Sequence, residues 1–338
     1  MKTISLVLLS MLIEIGCSKH SLTVQEKIDN IFTSKFEHSI ISKGDNLPDF
    51  NRRKDSIDLF LVALHEGIEP VKFQARAGWS DEKLKEKTQI LISKGWLIND
   101  NKGLRPTVFI ATDQQGKDLF IYGKPLAAAI AQSIESEIPF IKEKYETAGF
   151  SEKYDFNSMS FLILSDVLLD NWQLMHMEAA YLKKENRPER HGKFYYASIM
   201  ENTHHDYEPF GIYGNQYGQI NDSTYLSIYG NNRIIVNKRL KSDPAFRDSV
   251  LQAAIYLTPE LYRFFEEIAT DFRPKLLKIL DEQTDYSRKI FEKSGYSNEI
   301  SYEEFFIWWY HFIYTEATNI LAERHVLVIP GEGNLYYR

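Results

Sequence analysis

Residues 200–211, MENTHHDYEPFG, bring Glu201, His204, His205 and Asp206 within one short stretch. Each can move a proton or ligate a divalent metal. Adjacent histidines on an extended chain face opposite ways, so a single site takes one of His204 and His205. Glu201 and His204 form one Glu-x-x-His, whereas di-iron bundles use two on facing helices. Nowhere does the chain show His-Glu-x-x-His, Gly-x-Ser-x-Gly, a phosphate-binding Gly-x-x-x-x-Gly-Lys or Gly-x-Gly-x-x-Gly. Two readings stand: a histidine pair on a polar surface loop, or a hydrolytic site. In the second, Glu201, His204 and His205 carry the chemistry, His204, His205 and Asp206 hold a divalent metal, and Asp170 and His311 join from distant helices.

The segments that must position these groups differ in texture. Between residues 191 and 238, short apolar runs are cut by Gly and Asn, which predicts a small antiparallel sheet of about four strands. IYGN occurs at 212–215 and again at 228–231, and the second copy, followed by Asn232, predicts a hairpin turn. Residues 161–182 are apolar on nearly every side and predict a buried helix that carries Asp166, Asp170 and His176. Carboxylates there need pairing or hydrogen bonds, unless they sit at the helix edge in solvent. Asp243-Pro244, Thr258-Pro259 and Ser301 with Glu304 mark helix starts. The helix after Ser301 is apolar all round except for His311, Glu316 and Asn319. Its Trp308, Trp309 and Tyr310 suit either a core or the wall of a small-molecule pocket. The tail, 325–338, can add a strand.

Residues 55–120 have helix starts and stops at Pro70, Gly78, Ser80 and Gly95, then a hairpin and a helix opening at Thr112 or Asp113. The order of three helices, hairpin and helix predicts a winged-helix-like module over 55–122. The text LISKGWLIND followed by VFIATDQQGKDLF resembles the MarR-like winged-helix pattern. That resemblance implies a third helix whose N-terminal end faces base edges in DNA. Here this end holds Asp81 and Glu82, and residues 51–120 hold twelve Lys and Arg against ten Asp and Glu, a net of two positive charges. Duplex binding draws on phosphate neutralisation, so nucleic acid is not expected as a partner. Lys83, Lys85, Lys87, Lys102 and Arg105 are the only basic strip, interrupted by Glu86, and read as a solvated face. Residues 125–149 predict a further helix, kinked at Pro139.

Lys2, the apolar run 4–13 and Gly16-Cys17 form an export signal, the run being short of the roughly 20 residues that span a bilayer. Gly16-Cys17 resembles the lipobox of bacterial lipoproteins, which implies removal of residues 1–16 and diacylation of Cys17. Cys17 is the chain's one cysteine, so with it lipidated no disulfide or cysteine zinc site remains. A net charge of −7 gives no footprint for polyanions, and 43% apolar content in 338 residues suffices for an unaided core.

The sequence therefore predicts an α+β, mostly α-helical protein. A tether with a short helix covers 17–54, the winged-helix-like module follows, and a helical domain with an inserted sheet occupies 123–338. The expected function is that of a lipid-anchored binding protein of the cell envelope, on the outer membrane or facing the periplasm, with an envelope protein or a glycan as partner. A metal-assisted hydrolase and a DNA-binding regulator are the alternatives.

Overall fold

The computed structural model of the chain describes residues 22–204, 206–222 and 224–338. They form an α+β fold, mostly helical, with small sheets. Thr23 caps α1 (Val24–Thr33) in a reciprocal box with Glu26. The chain then turns at once into β1 (Phe36–Ser42). Part of the segment read as a tether is thus a strand of a sheet. It lies antiparallel to β6 (Lys193–Glu201), with Phe36 opposite Glu201 and Ser42 opposite Tyr195. Only Phe36 of β1 is fully buried, so this edge strand lacks the clean alternation that would reveal it.

The helices α2 (Ile57–His65), α3 (Pro70–Ala77) and α4 (Asp81–Ser93) start and stop where their punctuation places them. Ser80 accepts the Lys83 N–H, and Gly78 takes the left-handed conformation (φ 65°) after α3. The hairpin β2 (Leu97–Asp100) and β3 (Gly103–Pro106) follows. The apolar residues after it do not extend the hairpin. Phe109–Ala111 form β4, parallel to β6, because side chains buried on both faces fit a covered parallel position rather than a half-wet wing. The tiny β5 (Glu189–Arg190) folds back on the start of β6.

From Asp113 to Thr147 runs one helix, α5, where two were expected. Its buried stripe, Leu119, Leu126, Ile130, Ile134, Ile141 and Tyr145, is continuous across Pro125. The carbonyl that Pro125 cannot bond belongs to Ile121, 58% exposed, so solvent can satisfy it. α5 packs along α12 (Tyr302–Glu323), whose aromatic residues fill the main core.

The buried helix expected over 161–182 is broken. α6 (Phe156–Phe161) passes into a π-helical turn, Leu162–Val167, then a turn at Asp170 and Asn171, and resumes as α7 (Leu174–Ala180). Asp and Asn compete for backbone groups and favour such a break.

The region 191–238 is not one sheet. β7 (Gly214–Asn221), β8 (Thr224–Gly230) and β9 (Asn334–Tyr337) form a second sheet that β5 and β6 do not join. The IYGN copies lie side by side, Gly214 opposite Gly230, and the hairpin turns near Asp222, not at Asn231. Gly230 (φ 156°) is there because a Cβ would strike the Gly333 carbonyl and Asn334. The residues after it enter α8 (Arg233–Ser242), followed by α9 (Pro244–Ala253), α10 (Pro259–Glu282) and α11 (Thr284–Lys293).

Candidate functional site

Glu201 spends its carboxylate on structure. Its oxygens accept the Ser34 hydroxyl at 2.5 Å and the Asp113 N–H at 2.7 Å, a negative charge at the N-terminus of α5. His204 and Asp206 are exposed on the following turn, where the His204 N–H donates to Asn202 Oδ1. His205 and Cys17 lie outside the described residues. Among those described, no group of three or more His, Cys, Asp or Glu could hold a metal ion.

His311 stands elsewhere, on a cavity of about 560 Å³ that it shares with Asp170. That volume falls in the range of small-ligand sites. It is enclosed by β1, the turn carrying Asp170 and Asn171 with the start of α7, Arg187, the segment from Glu208 into β7, the start of α8, and Trp308 with His311 on α12.

Two aspartates one turn apart organise its wall. Asp166, wholly buried, accepts from the Asn215 amide, and the Tyr337 hydroxyl stands 3.0 Å from its Oδ2. Ser227 in turn donates to Asn215 Oδ1 at 2.8 Å, which fixes that amide. Burial and then the neighbouring Asp170 push the Asp166 pKa well up, against these donors. Burial also raises Asp170, to about 6, with Arg233 and hydrogen bonds from Tyr314 and Asn215 pulling the other way. The pair therefore keeps a proton at a pH where ordinary carboxyls have none. The π turn that holds Asp166 is a distortion that recurs at functional sites.

Arg233 pairs with Glu208, Nε to Oε1 at 3.2 Å, both side chains about nine-tenths buried. Gly214 lets the guanidinium lie across β7, since a Cβ there would overlap its Nη1. Arg187 holds Glu178 with two donors, at 2.8 and 3.0 Å, and its Nη1 is buried without a partner. His311 Nδ1 is 2.8 Å from the Ile307 carbonyl, which can only accept, so the proton sits on Nδ1. Burial lowers the His311 pKa to about 4, leaving Nε2 a neutral acceptor. Trp308 Nε1 is buried without a partner.

The charges around this wall do not cancel. Glu37 is held by Lys35 at 2.7 Å and Arg53 at 2.6 Å, His38 meets Asp58 at 3.0 Å, and Glu208 has Arg233. Among the described carboxylates lining the cavity, Asp170 alone stands outside an ion pair, and it is 5% exposed. No protein-family model, curated protein or solved structure matches this chain.

Sequence reasoning named Asp170, His311 and Trp308 but not Glu208, Asn215, Arg187 or Arg233. The spacing from Asp166 to Asp170 was the one local signal; the others converge only through tertiary contacts. The basic strip of the N-terminal half has a different character. Lys83 and Lys87 both reach Asp55, at 3.4 and 2.8 Å, Lys94 reaches Asp49 at 2.8 Å, and Arg105 pairs with Asp100. Lys87, expected in solvent, is 5% exposed.

Proposed function

We propose that the chain is a lipid-anchored binding protein of the bacterial envelope, and that its ligand enters the cavity between β1, β7 and α12. The observation that carries this reading is Asp170, a buried carboxylate on the cavity wall with no ion-pair partner. Burying a carboxylate outside an ion pair costs stability even where hydrogen bonds offset part of it, and natural chains retain such costs where they serve a site. Asp170 and the His311 Nε2 can accept, and Arg187 Nη1 and Trp308 Nε1, buried without partners, can donate, so the wall suits a polar ligand that brings a donor or cation to Asp170 and acceptors elsewhere.

Support for the address comes from Lys2, the apolar run 4–13 and Gly16-Cys17. No helix among the described residues is long and apolar enough to cross a membrane. In this reading the anchor is a lipid on Cys17, and α1 begins at Val24, at most about 24 Å of extended chain away. The fold then sits close against the membrane, without the long lead that residues 17–54 would give.

A hydrolase is the second reading, favoured by the shared proton of Asp166 and Asp170 beside the neutral His311. Its acid and base would be Asp170 and His311, in place of His204, His205 and Asp206 with a metal. A DNA reader is disfavoured by lysines already spent on Asp49 and Asp55.

The binding reading is tested by native mass spectrometry after incubation with the low-mass fraction of an envelope extract. The wild type retains a small-molecule or peptide adduct; Asp170→Asn and the cavity-plugging Ser39→Trp do not. Equal adducts in all three, or none in the wild type, contradict it. Palmitate labelling and fractionation of wild type beside Cys17→Ala test the anchor: label and membrane association confined to the wild type are expected.

A further inference from the structure

Two sheet edges border the cavity. β1 terminates the sheet β1-β6-β4, and β7 terminates β7-β8-β9. Residues 37–43 line the space without a gap, as do residues 214–217. A strand presenting a face shows alternate residues; one presenting its edge shows consecutive ones. β1 bonds to β6 and β7 to β8, and among the described residues the backbone of 37–42 and 214–217 makes no bond to any other element. Half the amides of an edge strand point outward and are left for another chain. Natural edges are commonly short, bulged or covered, whereas β1 turns six residues, Glu37 to Ser42, toward a cavity.

From these edges, and from the unpaired Asp170 across the same space, we infer that the ligand is a short extended peptide. It adds as a strand to the edge of β1 and brings an ammonium or guanidinium group to Asp170. Strand addition supplies affinity through main-chain hydrogen bonds, and the half-buried Ile40 and Ile41 flank places for alternate side chains. The charge of Asp170 then selects among peptides that the backbone alone would accept, because a buried carboxylate rewards an opposite charge and penalises a like one. This inference rests on the cavity being a binding site.

Pools of pentapeptides, acetylated at the amino terminus and randomised except for a fixed central residue, test it by retention on the full chain through gel filtration. The wild type is expected to retain the pool with central lysine. Retention falls about tenfold or more with central glutamate, with N-methylation of alternate amides, and with Asp170→Asn carrying the lysine pool. A cooperative thermal transition in Asp170→Asn at pH 5, at or above the wild-type temperature, shows that the variant is folded. Equal retention of N-methylated peptides overturns strand addition. Failure to retain any pool, while the extract adduct persists, overturns the peptide class and leaves the cavity as a binding site. Loss of both removes the binding reading itself.

Discussion

The outer surface of α4 and the cavity wall both carry charged side chains, and they spend them in opposite ways. On and around α4, Lys83, Lys87, Lys94 and Arg105 each pair with an acidic neighbour, while Lys85 and Lys102 stay in solvent outside those pairs. At the cavity, Asp170 stands outside any ion pair with only partial compensation from Arg233, and Trp308 Nε1 and Arg187 Nη1 are buried without partners. The first region carries the recognisable pattern and the second carries the unspent chemistry. A pattern of helices and hairpin fixes a scaffold; buried polar atoms without partners occur elsewhere too, at Arg105 Nε and Arg190 Nε, and mark a site only where they line a space that a ligand can enter.

The largest effect is expected at a buried pair that lies outside the cavity. Arg190 and Glu304, both side chains 3% exposed, meet at 2.8 Å, and the arginine also reaches the Tyr195 carbonyl. Glu304→Ala strands a buried guanidinium and is expected to cost about 3–5 kcal/mol in urea unfolding. If it costs less than about 1 kcal/mol, compensation of buried charge is not what holds this molecule, and the contrast loses its basis.

Asp170→Asn sharpens the contrast by moving stability the other way. Its pKa of about 6 lies above the ordinary 3.8, so the folded state binds this proton more tightly than the unfolded state does. Wild-type stability from this group is full below about pH 4 and is lost as pH rises through about 6. The variant should be about 2–3 kcal/mol more stable than wild type at pH 8 and equal to it at pH 4, followed by urea titration at both values. A variant less stable at pH 8 contradicts a cost retained for function.

His65 shows how the two halves are tied. Its Nδ1 is 2.6 Å from Glu299 and its Nε2 3.0 Å from Gln115. Burial works against its charged form, but Glu299 outweighs that, and the pKa is raised. This stabilisation is full below the ordinary histidine value and is lost as pH rises through the raised one. His65→Gln should therefore lose about 1.5–3 kcal/mol at pH 5 and much less at pH 9. Thermal unfolding across that range checks it; a pH-independent loss would mean packing alone.

At the α4 surface the effects should be smallest. Lys83→Ala and Lys94→Ala are expected to change stability by about 0.5 kcal/mol or less. Wild type should show no shift of duplex DNA at about 50 mM salt, and neither substitution should alter that.

Much of the fold could be read from punctuation. Ser80, Thr258 and Ser301 cap the helices they were expected to open, and Pro70 and Gly78 bound α3. The misreadings have local causes. β1 is an edge strand with no alternation, and the break at Asp170 and Asn171 is flanked closely by apolar runs that read as one helix. The second IYGN resembles a turn because Gly230 yields to Gly333, a contact more than a hundred residues away in sequence. The site was legible only as single residues. Asp170 and His311 stood out as polar exceptions on apolar helices, yet nothing in the sequence brings Arg233 to Glu208 or Asn215 to Asp166.

Asp170, a buried cavity-wall carboxylate outside any ion pair, is the group on which the binding site turns. Carbon-13 NMR titration of its side-chain carboxyl, assigned by comparison with Asp170→Asn, tests that directly. A titration near pH 6 in the free protein, moving lower when a cationic peptide binds, is the predicted result. Titration at the ordinary value near 4, unmoved by any peptide, would contradict it.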